Sequence, residues 1–135
     1  MRELMAAAGD LLRDHPVNRR RREQGKLPAN AIWPWGQGRK PSMPTLQERF
    51  GLSGVVVSAV DLIRGIGRLA GLEPITVPGA TGYLDTNYEG KVEAGLQALQ
   101  SVDFLYLHVE APDEASHEGD RHKKVQAIED FDRKV

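Results

Sequence analysis

The stretch Gly54–Val77, which reads GVVVSAVDLIRGIGRLAGLEPITV, decides the fold of this chain. Residues 54–58 are an apolar run that ends in a serine, and residues 74–77 are a second short run suited to a β-strand. Between them, residues 60–70 place apolar and small side chains near one side of a helix that ends before Gly71. A strand, a helix and a further strand in this order predict parallel pairing, with the helix as the crossover connection.

The same alternation of helices and strands continues toward the end of the chain. A helix is predicted from a cap at Thr86 or Asn87 to about residue 100. The third strand covers residues 102–109, and its continuous apolar character predicts burial on both faces. A last helix runs from about residue 120 to the end. The sequence therefore predicts an α/β fold built on a mainly parallel sheet.

A less regular segment precedes this α/β section, which covers residues 45–135 and begins with a short predicted helix over residues 45–50. Apolar spacing predicts a helix over residues 2–14. Residues 15–44 are predicted to be an irregular lead-in, in which only residues 31–33 look like a strand. Three strands are few for a parallel sheet and would leave its edges exposed. We therefore expect residues 1–135 to be one part of a larger domain.

Composition excludes several classes of protein. Lys plus Arg is 18 and Asp plus Glu is 19, so the net charge of −1 predicts no general attraction to nucleic acid or to an anionic membrane. The chain has no cysteine, which excludes a disulfide framework, a zinc ribbon and a thiol nucleophile. Its apolar runs are a few residues long, far below the roughly 20 needed to span a bilayer. A cytoplasmic location fits these features.

The segment 108–120, HVEAPDEASHEGD, carries the strongest candidate for chemistry. It follows the third strand and reads as a polar loop, at the end of a parallel sheet where ligands and metals collect. Asp113 and His117 lie four residues apart, and a carboxylate with an imidazole suits Mn²⁺, Zn²⁺ or Mg²⁺. Two ligands make an incomplete site. The alternative is a helix-capping aspartate beside a surface histidine.

Other polar residues have two interpretations each. Around the pair, supporting roles are open to His108, Glu110, Glu114 and Asp120, although His108 is also typical of a satisfied core histidine at a strand end. The arginine run 19–22 suits either a phosphate or a solvated helix face. Gly65 and Gly67 lie within a helix, which favours close packing over a dinucleotide fingerprint. Lys91 follows a helix cap, and is either directed at a ligand or solvated.

Together, several of these stretches resemble the cofactor-independent phosphoglycerate mutases of the archaeal type, which belong to the alkaline phosphatase superfamily. The order and spacing of the stretches match along nearly the whole chain, and the last of them is the most specific. They are His15-Pro16-Val17-Asn18 with Arg21 and Gly25, Pro28-Ala29-Asn30, Gly65 with Gly71, Gly79-Ala80-Thr81-Gly82 with Thr86-Asn87 and Lys91, and Glu110-Ala111-Pro112-Asp113-Glu114-Ala115-Ser116-His117.

The resemblance implies a fold and a reaction. The fold is a three-layer alkaline-phosphatase-like domain with a mainly parallel sheet, of which only part is present. The reaction is the interconversion of 3-phosphoglycerate and 2-phosphoglycerate, a step of glycolysis and gluconeogenesis, without a bisphosphoglycerate cofactor. In this family a serine takes the phosphoryl group and returns it to the other hydroxyl, with the help of two divalent metal ions, for which Mn²⁺ is the first choice here.

The resemblance also assigns residues. It implies that Asp113 and His117 are ligands of one metal ion, and that Asn18 and Arg21 face the substrate. Arg64 stands where relatives often have a lysine and is assigned to the substrate as well. The nucleophilic serine and the other metal ligands are expected to lie outside the chain, so the isolated 135 residues are expected to be inactive.

Two further hypotheses remain open at this point. The first is a metal-dependent phosphohydrolase of the same superfamily, because metal ligands are shared more widely than substrate contacts. The second is a non-catalytic remnant that binds a partner through Trp33 and Trp35. An exposed sheet edge and an unpaired loop over residues 26–44 also favour dimerisation or low stability.

Overall fold

The computed structural model describes all 135 residues, Met1–Val135, and they form two compact units, Met1–Lys40 and Pro41–Val135. Each unit is described by itself. Every helix in the chain is too short or too polar to cross a bilayer. That the two units belong to one catalytic domain stays a prediction.

The first unit contains two helices, α1 (Arg2–Arg13) and α2 (Pro16–Glu23). The predicted first helix is confirmed, and the predicted irregular lead-in contains a second one. Pro16 suits the first turn of α2, because its fixed φ matches a helix and an N–H at this position would have no partner within the helix. The prediction of a strand over residues 31–33 is wrong, because residues 24–40 form neither helix nor strand. An isolated strand without a neighbour is not stable, and none pairs with it.

The second unit contains the predicted alternation of helices and strands, with one additional helix. Its elements, in chain order, are α3 (Leu46–Phe50), β1 (Gly54–Val57), α4 (Asp61–Leu69), β2 (Glu73–Ile75), α5 (Tyr88–Ala98), β3 (Phe104–Leu107), α6 (Ala111–His117) and α7 (Arg121–Lys134). The three predicted strands are all present and somewhat shorter than expected. The additional helix is α6, which lies within the predicted polar loop.

All three strands are parallel, in the order β2-β1-β3. The central strand β1 is buried along its whole length, as expected for a strand covered on both faces. Val55 pairs with Leu105 and Val56 with Tyr106, so Val56 and Leu105 point to opposite faces. The predicted burial of the third strand on both faces is wrong, because β3 pairs only with β1 and the Tyr106 residue is 43% exposed.

Two glycines show how the helices cover the sheet. A Cβ atom on Gly67 of α4 would lie 2.6 Å from Val56 Cγ1, and one on Gly95 of α5 would lie 2.7 Å from Leu105 Cδ2. Because Val56 and Leu105 point to opposite faces, α4 and α5 cover opposite faces of the sheet. This arrangement confirms a three-layer α/β architecture. The packing role predicted for Gly67 is confirmed, whereas the same prediction for Gly65 is wrong, because nothing lies within 4 Å of its Cβ position.

An apolar cluster joins the last three helices. Tyr88 of α5, Ala111 of α6 and Ala127 of α7 are fully buried together, with Leu84 and Val109 packed against them. The two alanines allow α6 and α7 to approach closely. This cluster holds α6 against the body of the unit, directly after β3.

Asp103 ties the beginning of β1 to the beginning of β3, and it predicts a dependence of stability on pH. Its carboxylate accepts hydrogen bonds from the backbone N–H of Ser53 at 2.9 Å and from the Ser53 hydroxyl at 2.7 Å. These bonds lower the pKa of Asp103. Because the pKa is lower in the folded than in the unfolded chain, the stabilisation is present above about pH 4 and is lost as the pH falls through the folded-state pKa.

We therefore expect Asp103→Asn to reduce the loss of stability on acidification. Urea denaturation of both chains between neutral and acidic pH measures the effect. The difference in unfolding free energy between the chains should be largest at neutral pH and shrink below about pH 4. A difference that stays constant across this range would mean that the Asp103 carboxylate does not titrate as the structure predicts.

Candidate metal centre

The candidate site lies at the carboxyl edge of the sheet, where β1 and β3 end side by side. Ser58 follows β1 directly and His108 follows β3 directly. The His108 N–H donates to the Val57 carbonyl at 2.9 Å, which extends the pairing of the two strands by one residue. From this point the chain enters α6, which carries the predicted metal ligands.

Asp113 and His117 lie on α6 rather than in the polar loop that the sequence predicted. The backbone N–H groups of Asp113 and Glu114 donate to the Glu110 carbonyl at 2.8 and 3.1 Å, and begin the helix. Pro112 in the first turn supports it, since proline is favoured there. The apolar face of α6 consists of two buried alanines one turn apart, Ala111 and Ala115. An apolar face of only two small residues is a weak indication of a helix in an otherwise polar segment.

The helix brings the two candidate ligands together. Residues four apart face the same side of a helix, and the Asp113 Oδ2 and His117 Nε2 atoms lie 3.1 Å apart. Their side chains are 63% and 72% exposed, respectively, so both are accessible from solvent. The alternative of a capping aspartate does not describe Asp113, which lies within the helix at its third position.

The donor chemistry of this pair fits a divalent cation in part. A carboxylate oxygen and an imidazole nitrogen are ligands that Mn²⁺ and Zn²⁺ accept. No group of three or more His, Cys, Asp or Glu side chains in the chain is placed to hold one metal ion. A catalytic site needs at least three protein ligands in most cases, so these residues fit two positions of a shell that other groups would complete.

The groups predicted to support the pair have different surroundings. His108 is satisfied at both ring nitrogens: Nδ1 lies 3.2 Å from Ser58 Oγ and Nε2 lies 3.0 Å from Glu110 Oε2. This confirms a satisfied histidine at the strand end. Asp120 instead caps α7, since its carboxylate accepts from the backbone N–H groups of His122 and Lys123. Those hydrogen bonds lower the pKa of Asp120.

The burial of Lys91 was not indicated by the sequence. It lies in the first turn of α5 and the residue is only 1% exposed, so the interpretation as a solvated lysine is wrong. Its Nζ donates to the Thr81 carbonyl at 3.3 Å. Burial lowers the pKa of Lys91, and the negative charge of Glu110 opposes that effect. Lysine is rarely buried unless it is paired, which makes this residue notable.

The three predicted substrate residues fall in both units. In the second unit, Arg64 of α4 donates to the Thr76 hydroxyl at 3.1 Å, just after β2 and therefore at the same edge of the sheet. In the first unit, the Arg21 Nε donates to the Leu27 carbonyl at 2.8 Å. Asn18 is buried. Its side-chain NH₂ group donates to the carbonyls of Leu12 and Ala29, and its side-chain oxygen accepts from the Ala29 N–H. These bonds hold the first unit together, and substrate contact by these residues stays a prediction.

Comparison with known proteins gives the family. The family model described as the metalloenzyme superfamily matches residues 5–135. The chain belongs to this superfamily. The predicted resemblance to cofactor-independent phosphoglycerate mutases is confirmed as well. The chain is 60% identical over 133 residues to a probable 2,3-bisphosphoglycerate-independent phosphoglycerate mutase of Geobacter sulfurreducens. It is 59% identical over 133 residues to such a mutase of Methanothrix thermoacetophila.

Two solved structures are similar to this chain over nearly its whole length. A structure of the PH0037 protein from Pyrococcus horikoshii matches 98% of the chain with a TM-score of 0.85 and 32% identity. A cofactor-independent phosphoglycerate mutase from Thermoplasma acidophilum matches 96% of the chain with a TM-score of 0.55 and 30% identity. The chain spans about a third of these proteins: 33% and 34% of the two mutase sequences and 35% and 32% of the two structures.

Proposed function

We propose that this chain supplies part of the metal site of a 2,3-bisphosphoglycerate-independent phosphoglycerate mutase, an isomerase that interconverts 3-phosphoglycerate and 2-phosphoglycerate. The observation that carries the proposal is the Asp113–His117 pair, accessible on α6 at the carboxyl edge of the sheet. The 60% identity to a probable mutase of that name supports the choice of reaction. A charged phosphoglycerate does not cross a bilayer unaided, so we propose a cytoplasmic location.

In this proposal each residue has a defined task. Asp113 and His117 hold one of two divalent ions, for which Mn²⁺ is the first choice and Mg²⁺ or Zn²⁺ the alternatives. When bound, such ions offset the charge of the phosphoryl group that is transferred. The Arg64 guanidinium, at the same edge of the sheet, offers a bidentate contact to a phosphate or a carboxylate.

The phosphoryl group is proposed to pass to a serine hydroxyl and back to the neighbouring hydroxyl of the same glycerate. The phosphate therefore stays within the enzyme, and no bisphosphoglycerate is needed. This chain supplies two ligands of the metal shell, so we propose that the 135 residues alone do not turn over substrate. Turnover by this chain alone would contradict that part of the proposal.

A metal-dependent phosphohydrolase is the second candidate. The family model that matches residues 5–135 is described as a metalloenzyme superfamily, and that description names no single reaction. The two candidates differ in the fate of the phosphate: a hydrolase releases it to water, and a mutase keeps it on the glycerate. One assay therefore distinguishes them.

The experiment uses the complete natural reading frame that contains this chain, with 3-phosphoglycerate and Mn²⁺ and without bisphosphoglycerate. Enolase coupling measures 2-phosphoglycerate, and free phosphate is measured in the same sample. We expect 2-phosphoglycerate without phosphate release. Phosphate release without 2-phosphoglycerate would favour the hydrolase. If neither product forms, the result would favour a non-catalytic protein that binds a partner.

A further inference from the structure

Three polar side chains at the carboxyl edge of the sheet, Ser58, His108 and Glu110, are linked by short contacts, and the buried Lys91 interacts with Glu110 through its charge. Ser58 follows β1, His108 and Glu110 follow β3, and Lys91 comes from α5. We call these four residues the edge network. Ser58 and Lys91 are 3% and 1% exposed as residues, and the side chains of His108 and Glu110 are each 21% exposed. None of the four is assigned above to the substrate or to a metal ion.

The hydrogen bonds of the network run in one direction. Ser58 Oγ accepts from the Val60 N–H at 3.0 Å, so its own hydroxyl is free to donate to His108 Nδ1 at 3.2 Å. The other ring nitrogen of His108, Nε2, then carries the proton toward Glu110 Oε2 at 3.0 Å. The imidazole is also stacked on Tyr106, with ring centroids 6.4 Å apart and an interplanar angle of 9°. The ring thus has one orientation.

Glu110 connects this network to α6. Its backbone carbonyl accepts the N–H groups of Asp113 and Glu114, which form the first turn of the helix. Its side chain makes no capping bond to that helix and bonds His108 instead. The direction in which α6 leaves the sheet therefore depends on where His108 holds Glu110.

Lys91 supplies a positive charge, and the negative charge of Glu110 partly offsets the lowering of its pKa by burial. Its ammonium is buried and bonds the Thr81 carbonyl, in a loop that is itself closed by the hydrogen bond between the Asn87 N–H and the Gly79 carbonyl. A buried charge group of this kind adds little to stability compared with apolar side chains of the same volume. In some proteins a group of this kind helps to select one geometry.

We propose that the edge network is a positioning device, which fixes the start of α6 and thereby the placement of Asp113 and His117 for a metal ion. The inference rests on the proposed metal pair. The network touches neither ligand side chain and acts through the backbone of Glu110. Partners that orient metal ligands in this way change metal affinity by roughly 10- to 100-fold when they are removed.

The test compares Glu110→Ala with Glu114→Ala in the complete natural reading frame that contains this chain. Both variants remove one carboxylate from the start of α6. Residue 114 is closer to the two ligands in the sequence but lies outside the network. Mn²⁺ alone is the probe, and paramagnetic broadening of the His117 ring protons measures its affinity. We expect a loss of at least about 10-fold for Glu110→Ala and less than about 3-fold for Glu114→Ala. Equal losses would overturn the inference, because a charge effect alone would explain them.

Ser58→Ala provides a second variant that does not alter α6 or its charge. The serine lies 50 residues before His108 in the chain, and only the network connects it to the helix. We expect weaker Mn²⁺ binding in this variant too, and a shift of the His108 Nδ1 resonance. An Mn²⁺ affinity equal to that of the unaltered chain would overturn the inference, and this arm decides if Glu110→Ala does not fold.

Hydrogen exchange separates this inference from the proposed function. The amide protons of residues 113 and 114 report the first turn of α6 without any metal ion. We expect them to exchange at least about 10-fold faster in Glu110→Ala and at an unchanged rate in Glu114→Ala. If the unaltered complete protein does not bind Mn²⁺, the proposed metal pair fails, while this exchange pattern still supports or overturns the positioning role.

Discussion

Replacement of His117 with alanine in the complete protein is expected to lower the mutase kcat/KM by about 10³-fold. The proposed metal ion contributes several kcal/mol to stabilisation of the transferred phosphoryl group, and each 1.36 kcal/mol corresponds to about a factor of ten in rate. Loss of one ligand should also raise the Mn²⁺ concentration needed for half-maximal activity. Both quantities come from the enolase-coupled assay over a range of Mn²⁺ concentrations.

His122→Ala is the matched control for this experiment. His122 is also an exposed histidine; it lies near the start of α7, where its backbone N–H donates to Asp120 and its ring makes no hydrogen bond. We expect kcat/KM of His122→Ala to stay within about 2-fold of the unaltered protein. A similar loss of activity in both variants would remove the reason to assign a metal to His117. An unchanged kcat/KM in His117→Ala would contradict the metal role directly.

The second large effect concerns stability and the packing of α4 on the sheet. Gly67→Val is expected to lower the free energy of unfolding by about 3 kcal/mol, because the added Cβ would lie 2.6 Å from Val56 Cγ1. Val56 is fully buried in the central strand. Urea denaturation of the 135-residue chain measures this loss.

Gly65→Val is the control, because Gly65 lies on the same helix and has nothing within 4 Å of its Cβ position. Valine has a higher helix propensity than glycine by a few tenths of a kcal/mol, so Gly65→Val should be neutral or slightly stabilising. The difference between the two variants isolates the contact with the sheet. Equal unfolding free energies would mean that α4 does not pack on Val56 as the structure shows.

Much of the fold could be predicted from hydrophobic pattern alone. The strand β1 is a run of valines bounded by glycine and serine, and such a run is recognisable without neighbours. The helix α6 could not be predicted, because its apolar face is only two alanines and its remaining residues are typical of a loop. The exposure of β3 could not be predicted either, since whether a strand is central or at an edge depends on pairing and not on its own residues.

The candidate site shows the same limit. The spacing of Asp113 and His117 indicated a shared ligand set, and α6 brings these side chains together. Lys91 was different, since a lysine just inside a helix start is usually solvated. Its burial depends on the Thr81 carbonyl and on Glu110, which come from other segments. Contacts of this kind exist only once the chain has folded, so no local sequence pattern predicts them.

The position of β1 in the middle of the sheet has a consequence for the kinetics of folding. Its pairing with β2 closes a short loop through α4, whereas its pairing with β3 closes a loop of about 50 residues, the separation of Ser58 and His108. Loop closure of that length must precede any gain from the contacts, which slows this step relative to the local one. The β1–β2 unit is therefore expected to form before β3 joins it. The edge that carries Asp113 and His117 is then among the last parts of the molecule to become ordered.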